Sequence, residues 1–198
     1  MTADLAALRW PRQTARLTLR PAVLEDAPAI QAYRGVAEVT RYLGHGPLDL
    51  DGVRQRLLDH AARTREPVLD VVAVDTGTGE LVGDGTLGLK DAAAHPIRRS
   101  EVRLAEGWIG YCIAPAWSGR GLATELARAL VGLALGDLAQ RRVVAHAYTE
   151  HVASRRVLEK AGQRREATFR KKVLADEGRW MDDDVWALLR EEWPDRPQ

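Results

Sequence analysis

The spacing of apolar residues along the chain alternates between the two-residue period of strands and the longer period of helices. Apolar runs and alternations predict strands over residues 16–20, 68–75, 81–89, 108–113, 142–147, 166–173 and 180–189. Apolar residues at helical spacing predict helices over residues 24–34, 51–65, 122–135 and 154–161. The order of these elements, β-α-α-β-β-β-α-β-α-β-β, predicts one domain of mixed α/β or α+β class.

Segments without a clear period mark the two ends of the chain and one long connection. Residues 1–15 are interpreted as a loosely held N-terminal arm and residues 194–198 as a C-terminal tail, which leaves a single domain over residues 16–193. Residues 91–107 form a polar connection with some strand potential at residues 101–104. We expect a hairpin turn at residues 76–79, because two glycines there separate two strand-like runs.

Composition and charge restrict the class of protein. The chain has 198 residues, of which 45% are apolar and 29% charged, as in ordinary globular domains. Its net charge of +1 argues against nucleic-acid binding through a basic field. The sequence has neither a membrane-spanning run nor a signal-peptide pattern, so we expect a cytoplasmic protein without a membrane partner. The single cysteine, Cys112, excludes an internal disulfide and a thiolate metal site, and no metal is expected.

Two glycine patterns compete as candidate phosphate sites. Residues 83–88 match G-x-G-x-x-G, but they lie inside a strand pattern, and Pro96 interrupts any following helix. We interpret them as a glycine-rich strand rather than a dinucleotide site. Residues 118–124 have the required context, since a predicted strand precedes them and a helix follows. Gly119 and Gly121 permit a close approach to the backbone, and the helix N-terminus presents free N–H groups to an anion.

Four segments in order resemble the GCN5-related N-acetyltransferases (GNAT), specifically their RimJ/RimL-type branch. The segments are TARLTLRP with LED at residues 14–26, VTRYL at 39–43, GY to GRGLATE at 110–125, and ASRRVLEKAG at 153–162 followed by 178–180 and 188–193. The resemblance implies the GNAT fold, with a mixed central sheet of about seven strands, four helices and a splay between the fourth and fifth strands. It also implies acetyl-CoA as cosubstrate.

The family pattern then assigns roles to individual residues. The splayed strands, residues 108–113 and 143–147, would hold the pantetheine arm, and the backbone at residues 119–123 would contact the pyrophosphate. Ser154 would protonate the leaving thiolate, although it could also serve as a helix N-cap. The cofactor-binding residues implied by the resemblance are Cys112, Ile113, Gly119, Arg120, Gly121, Leu122, Ala123, Thr124, His151, Ser154 and Arg156.

The chain also departs from the family pattern. His151 replaces the usual asparagine, Trp108 replaces a common strand glutamate, and the usual tyrosine acid on the short helix is absent. A primary amine is mostly protonated at neutral pH, so a general base would assist its attack. We select Glu106, because it would share a strand face with Trp108. The other candidates are Glu101, His146 (which we interpret as a core histidine), Tyr148, Glu150 and Asp182.

The resemblance predicts an N-acetyltransferase that acts by direct attack in a ternary complex. Its acceptor would be a protein N-terminus or a small-molecule amine, including an aminoglycoside-type antibiotic. An aminoglycoside pocket would be rich in acids, and the candidates are Glu101, Glu106, Asp182, Asp183 and Asp184. The alternative is a non-catalytic acyl-CoA-binding regulatory module. No nucleic-acid partner is expected, and a homodimer through a strand edge is compatible with the fold.

Overall fold

The computed structural model describes residues 4–175 and 178–193, and it folds the chain around one mixed sheet. The eight strands of this sheet lie in the order β1-β2-β3-β4-β5-β6-β8-β7. All neighbouring strands are antiparallel except β5 and β6, which are parallel. The strands are β1 (Arg12–Gln13), β2 (Leu17–Pro21), β3 (Val68–Asp75), β4 (Leu81–Lys90), β5 (Glu106–Ile113), β6 (Arg142–Tyr148), β7 (Arg164–Leu174) and β8 (Trp180–Leu189).

The helices pack on both faces of the sheet. They are α1 (Ala27–Arg34), α2 (Ala37–Thr40), α3 (Leu50–Ala61), α4 (Leu122–Gly132) and α5 (Val152–Lys160). A π-helical turn, Leu133–Asp137, continues α4. The mixed α/β class is confirmed, and the described residues contain one more strand and one more helix than predicted. Both additions, β1 and α2, are too short for a periodic pattern to appear in the sequence.

Part of the N-terminal arm is held against the domain. Leu8 is buried in the core, and β1 extends the sheet by pairing with β2. This contact corrects the expectation of a loosely held arm for that part of residues 1–15. In the polar connection, Pro96–Val102 forms 3-10 turns rather than a strand, and β5 begins at Glu106, two residues before the prediction. The predicted tail, residues 194–198, lies outside the described residues.

The glycine-rich run at residues 83–88 forms the middle of β4, as predicted. A Cβ placed on Gly83 would lie 2.4 Å from the carbonyl oxygen of Cys112, and one placed on Gly88 would lie 2.1 Å from the indole of Trp108. These two glycines allow β5 and its tryptophan to approach β4 closely. Their role is packing within the sheet, which accounts for the G-x-G-x-x-G pattern without a dinucleotide.

Each face of the sheet has its own core. On one face, α4 and α5 bury Leu126, Leu130 and Leu158 against apolar residues of β4, β5 and β6. On the other face, α1 and α3 pack on β3, β4 and the Cys112 side of β5. No helix in the described part of the chain combines the length and hydrophobicity needed to cross a bilayer.

A buried ion pair joins α1 to the sheet. Asp84 on β4 is 1% exposed, and its Oδ2 lies 2.7 Å from Nη2 of Arg34, which is also buried. Tyr33 donates a hydrogen bond of 2.7 Å to Asp84 Oδ1. Burial would raise the pKa of Asp84, but the charge and hydrogen bonds of Arg34 outweigh it and lower the pKa. The pair therefore joins the C-terminal end of α1 to β4.

Candidate active site

The sheet opens between β5 and β6. The two parallel strands pair only from Glu106 to Trp108 on β5 and from Arg142 to Val144 on β6. Beyond these positions β5 continues to Ile113 paired only with β4, and β6 continues to Tyr148 paired only with β8. We call the resulting gap the cleft. It corresponds to the splay that the resemblance implied.

Backbone groups of β5 face the cleft at alternate residues. The N–H of Ala114 bonds to the carbonyl of Val82, so the even-numbered residues of this segment direct their backbone polar groups toward β4. The odd-numbered residues Tyr111 and Ile113 therefore direct theirs into the cleft. The backbone at these positions lies beyond the last residue paired with β6, so it can bind an amide or carbonyl of a ligand.

A turn with two left-handed glycines connects β5 to α4. Gly119 has φ 77° and Gly121, the N-cap residue of α4, has φ 80°. A Cβ placed on Gly119 would have no atom within 4 Å, so the space next to this backbone is open. The N–H groups of Leu122, Ala123 and Thr124 in the first turn of α4 have no partner inside the helix. This cradle has the shape and polarity that a pyrophosphate requires.

Residues distant in sequence brace the cradle. Arg16 donates a hydrogen bond of 2.7 Å from Nη1 to the carbonyl of Arg120, and its backbone N–H donates one of the same length to Glu125. Thr14 also donates to Glu125, at 2.6 Å. The hydrogen bonds from Thr14 and Arg16 outweigh the effect of burial, and together they lower the pKa of Glu125. The bracing roles of Arg16 and Glu125 were not predicted from the sequence, although an acid in the first turn after the glycines was the available signal.

Arg120, in contrast, is turned back on its own loop. Its guanidinium lies 4.7 Å from the centroid of the Trp117 ring and donates to the carbonyl of Ala116. The residue remains exposed at the edge of the cradle. Its charge is therefore near the cradle, although its side chain does not point across it.

A hydroxyl pair lies beside the cleft. The hydroxyl of Tyr111 lies 2.9 Å from Oγ of Ser154, and it can also donate to the Ser154 carbonyl at 3.2 Å. Burial raises the pKa of Tyr111 to about 12, so the phenol stays protonated at neutral pH. The helix α5 begins at Val152, so Ser154 lies in its first turn and is not the N-cap. The tyrosine that the family usually carries on the short helix is absent from this chain. Tyr111 on β5 provides an aromatic hydroxyl beside the cleft instead.

The side chain of Cys112 packs on the face of the sheet opposite α4, which does not favour its predicted contact with the cofactor. Its side chain is buried under α1 and α3, and its backbone faces β4. Burial raises the pKa of this thiol to about 12, so it is not an activated nucleophile. Ile113, the next residue, packs with the α4 core and directs its backbone into the cleft.

The other predicted residues of α5 lie near the open end of β6. The His151 ring stacks on Tyr42 at a centroid distance of 4.5 Å, and burial lowers the pKa of this histidine. Arg155 is engaged, with Nε 3.2 Å from Asp184 Oδ2. Arg156 is exposed and has no ion-pair partner within residues 4–175 and 178–193. Of the two arginines, only Arg156 has a charge that is available for a phosphate.

Comparisons with known proteins agree with this geometry. Residues 16–164 match the family model described as "Acetyltransferase (GNAT) domain". The chain belongs to this family. An uncharacterized N-acetyltransferase of Bacillus subtilis strain 168, YoaA, is 30% identical over 180 residues, which cover 90% of this chain and 96% of YoaA. A second relative from this strain, YnaD, is 34% identical over 43% of this chain, and the match spans 49% of YnaD, about half its length.

A solved structure shows the same fold. Mycobacterium smegmatis RimJ in complex with CoA-disulfide has a TM-score of 0.76 and 24% sequence identity, covering 94% of this chain and 91% of RimJ. The GNAT fold of this chain is therefore confirmed by both sequence and structure comparisons.

In this GNAT domain, Glu106 lies at the closed end of the cleft, where β5 and β6 still pair. Its carboxylate is 2.8 Å from Nζ of Lys90 and 3.0 Å from Nε of Arg142. Two cations therefore hold the carboxylate that we selected as the base, and this placement favours a structural ion pair. The assignment of Glu106 as a base remains a prediction that the geometry does not support.

His146, in contrast, lies at an exposed position of β6. Its side chain is 46% exposed, which is incompatible with the core histidine that we expected. It lies on β6 beyond Val144, the last residue paired with β5. Nδ1 is 2.8 Å from Oδ2 of the buried Asp183. The sequence contained both residues, but their pairing depends on the register of β6 and β8.

Proposed function

We propose that this GNAT domain is an acetyl-CoA-dependent N-acetyltransferase of the RimJ/RimL type that acetylates a primary amine in a ternary complex. The observation that carries the proposal is the cleft, which has an anion cradle after β5 and the Ser154–Tyr111 hydroxyl pair beside it. The family match and the names of YoaA, YnaD and RimJ support it.

Bound acetyl-CoA supplies an activated acetyl thioester. In the proposal, backbone N–H groups from Gly119 to Thr124 hold the pyrophosphate, with added charge from Arg120 and Arg156. The backbone of Tyr111 and Ile113 binds the pantetheine arm, and one of their N–H groups donates to the oxygen that gains charge during attack. His151 packs against Tyr42 at the same end of the cleft.

Ser154 is proposed to donate its hydroxyl proton to the leaving sulfur. The Tyr111 hydroxyl forms a hydrogen bond with Oγ of Ser154, and this bond fixes the orientation of the serine hydroxyl. We expect Ser154→Ala to lower kcat by roughly 100-fold, the usual contribution of a positioned acid, without weakening the binding of CoA. Steady-state kinetics and calorimetric titration with CoA check this result. An unchanged kcat would remove Ser154 from the chemistry.

The acids that could have formed an aminoglycoside site are already engaged. Each has a partner in the described structure: Glu101 with Arg98, Glu106 with Lys90 and Arg142, Asp182 with the Lys171 N–H, Asp183 with Lys172, and Asp184 with Arg155. A polycationic antibiotic would have to displace these partners. The paired acids therefore favour an acceptor with a single primary amine, such as a protein N-terminus or a small monoamine.

The activity is tested by release of CoA thiol from acetyl-CoA with a panel of amines. The panel contains peptides with a free N-terminus, small monoamines, spermidine and kanamycin, and a parallel calorimetric titration measures CoA binding. We expect binding of CoA and thiol release with at least one monoamine or peptide. Tight CoA binding without release from any amine would instead support the non-catalytic module. Absence of both would overturn the cofactor assignment.

A further inference from the structure

The position of His146 in the sheet places it at the rim of the cleft. Trp108 and Val144 are the last paired residues of β5 and β6, so their side chains lie on the same face of the sheet. His146 follows Val144 by two residues and therefore lies on that face as well, about 7 Å further along β6. It is the first residue of β6 on this face beyond the pairing with β5.

This face is opposite the one that carries the Ser154–Tyr111 pair. Tyr111 belongs to the core formed by α4 and α5, whereas Trp108 lies over Gly88 on the face of α1 and α3. Near β6, β8 and β7 the face of His146 remains open, because Phe169 and His146 are both about half exposed. An acceptor can therefore enter from the side of His146 while the cofactor sulfur lies near Ser154.

The histidine is oriented by a buried carboxylate. Asp183 is 4% exposed, and its Oδ2 lies 2.8 Å from His146 Nδ1 and 2.7 Å from Lys172 Nζ. A carboxylate beside Nδ1 selects the tautomer that carries its proton on Nδ1, which leaves a lone pair on Nε2. Nε2 has no hydrogen-bond partner within the described residues. A base held by a carboxylate in this way matches the general arrangement of base and orienting group.

We infer that His146, oriented by Asp183, is the general base that accepts the proton of the acceptor ammonium. This inference rests on the proposed acetyltransferase function. His146 Nε2 takes one proton from the ammonium, and Asp183 stabilises the imidazolium until the proton passes to solvent. The freed amine forms the C–N bond while the C–S bond breaks, and Ser154 protonates the sulfur. The nitrogen loses its second proton to solvent as the amide forms, and Ser154 regains a proton from solvent, so the net reaction converts the ammonium and acetyl-CoA into the amide, the CoA thiol and one free proton.

The test compares His146→Gln with a matched control. His60 provides the control, because its Nδ1 also lies 2.7 Å from a buried carboxylate, that of Asp70, but it is on α3 above β3, away from the cleft. With the best amine from the thiol-release panel, we expect His146→Gln to lower kcat by about 100-fold or more, as for a lost general base. We expect His60→Gln to retain the wild-type kcat, and both variants to bind CoA normally.

A second variant distinguishes a role of His146 as general base from a purely structural role. His146→Ala leaves a space at the open rim, and added imidazole should restore part of its activity, whereas imidazole should not affect the wild type. Retained activity in His146→Gln, or no recovery of His146→Ala with imidazole, would overturn the assignment. If the wild type itself shows no turnover with any amine, the proposed function fails together with the base; if only the His146 results fail, the acetyltransferase proposal stands.

Discussion

Gly119→Ala is expected to lower the affinity for CoA by about 10- to 100-fold, the equivalent of one or two charge-assisted hydrogen bonds. The new methyl group would enter the open space next to the backbone, where the pyrophosphate must approach the N–H groups of the α4 N-terminus. Alanine at φ 77° also resists the left-handed conformation that the cradle requires. Calorimetric titration of the folded variant with CoA measures the loss.

Gly79→Ala is the matched control for this prediction. Gly79 has φ 74°, and a Cβ placed there would also have no atom within 4 Å, but it lies in the turn between β3 and β4. Both variants should lose about 1 kcal/mol of unfolding free energy from the same backbone strain. Only Gly119→Ala should lose CoA affinity. Equal CoA binding by both variants would show that residue 119 does not lie at the phosphate site.

Asp84→Asn is expected to have the largest effect on stability. The amide preserves the size of the side chain but leaves the buried charge of Arg34 without its counter-ion. Removing one partner of such a pair decreases the free energy of unfolding by about 3–5 kcal/mol. Urea denaturation at neutral pH measures the decrease. Asp51→Asn is the control, because Asp51 forms only an exposed pair with Arg54, and its loss should be below about 1 kcal/mol.

The pH dependence of stability provides a second measurement of the same pair. The pKa of Asp84 is lowered in the folded protein, so its ionised form contributes stability above the pKa of an unfolded aspartate, about 3.9. This contribution decreases as the pH falls from there through the folded pKa. The free energy of unfolding should therefore decrease less between neutral and acid pH in Asp84→Asn than in the wild type. An identical acid dependence in both proteins would contradict the role of the pair.

The features that could be predicted from the sequence are formed by neighbouring residues. Gly119, Gly121 and the first turn of α4 are contiguous, so their spacing was sufficient to predict the strand, glycine turn and helix start that the structure contains. The glycines of β4 were also recognised as part of a strand, because no helix pattern follows them. The hydrophobic periodicity of the longer strands and helices predicted the mixed sheet, although the two-residue β1 and one-turn α2 were too short to detect.

Contacts between distant strands account for the features that could not be predicted from the sequence. Glu106 and His146 were both candidates, and no local pattern shows that Lys90 and Arg142 hold the first while Asp183 supports the second. The Tyr111–Ser154 hydroxyl pair likewise joins residues 43 positions apart. Cys112 was predicted to contact the cofactor, and only the register with β4 shows that its side chain faces α1 and α3.

Local chemistry therefore specified the cradle and the class of fold, since backbone conformation and hydrophobic periodicity depend on residues that are close in sequence. The tertiary structure decided which side chains meet across the cleft. Its separation of β5 from β6 beyond Trp108 and Val144 leaves His146 on one face and the Ser154–Tyr111 pair on the other. Strand register sets these relations, and a shift of one residue would reverse the direction of every side chain on the strand.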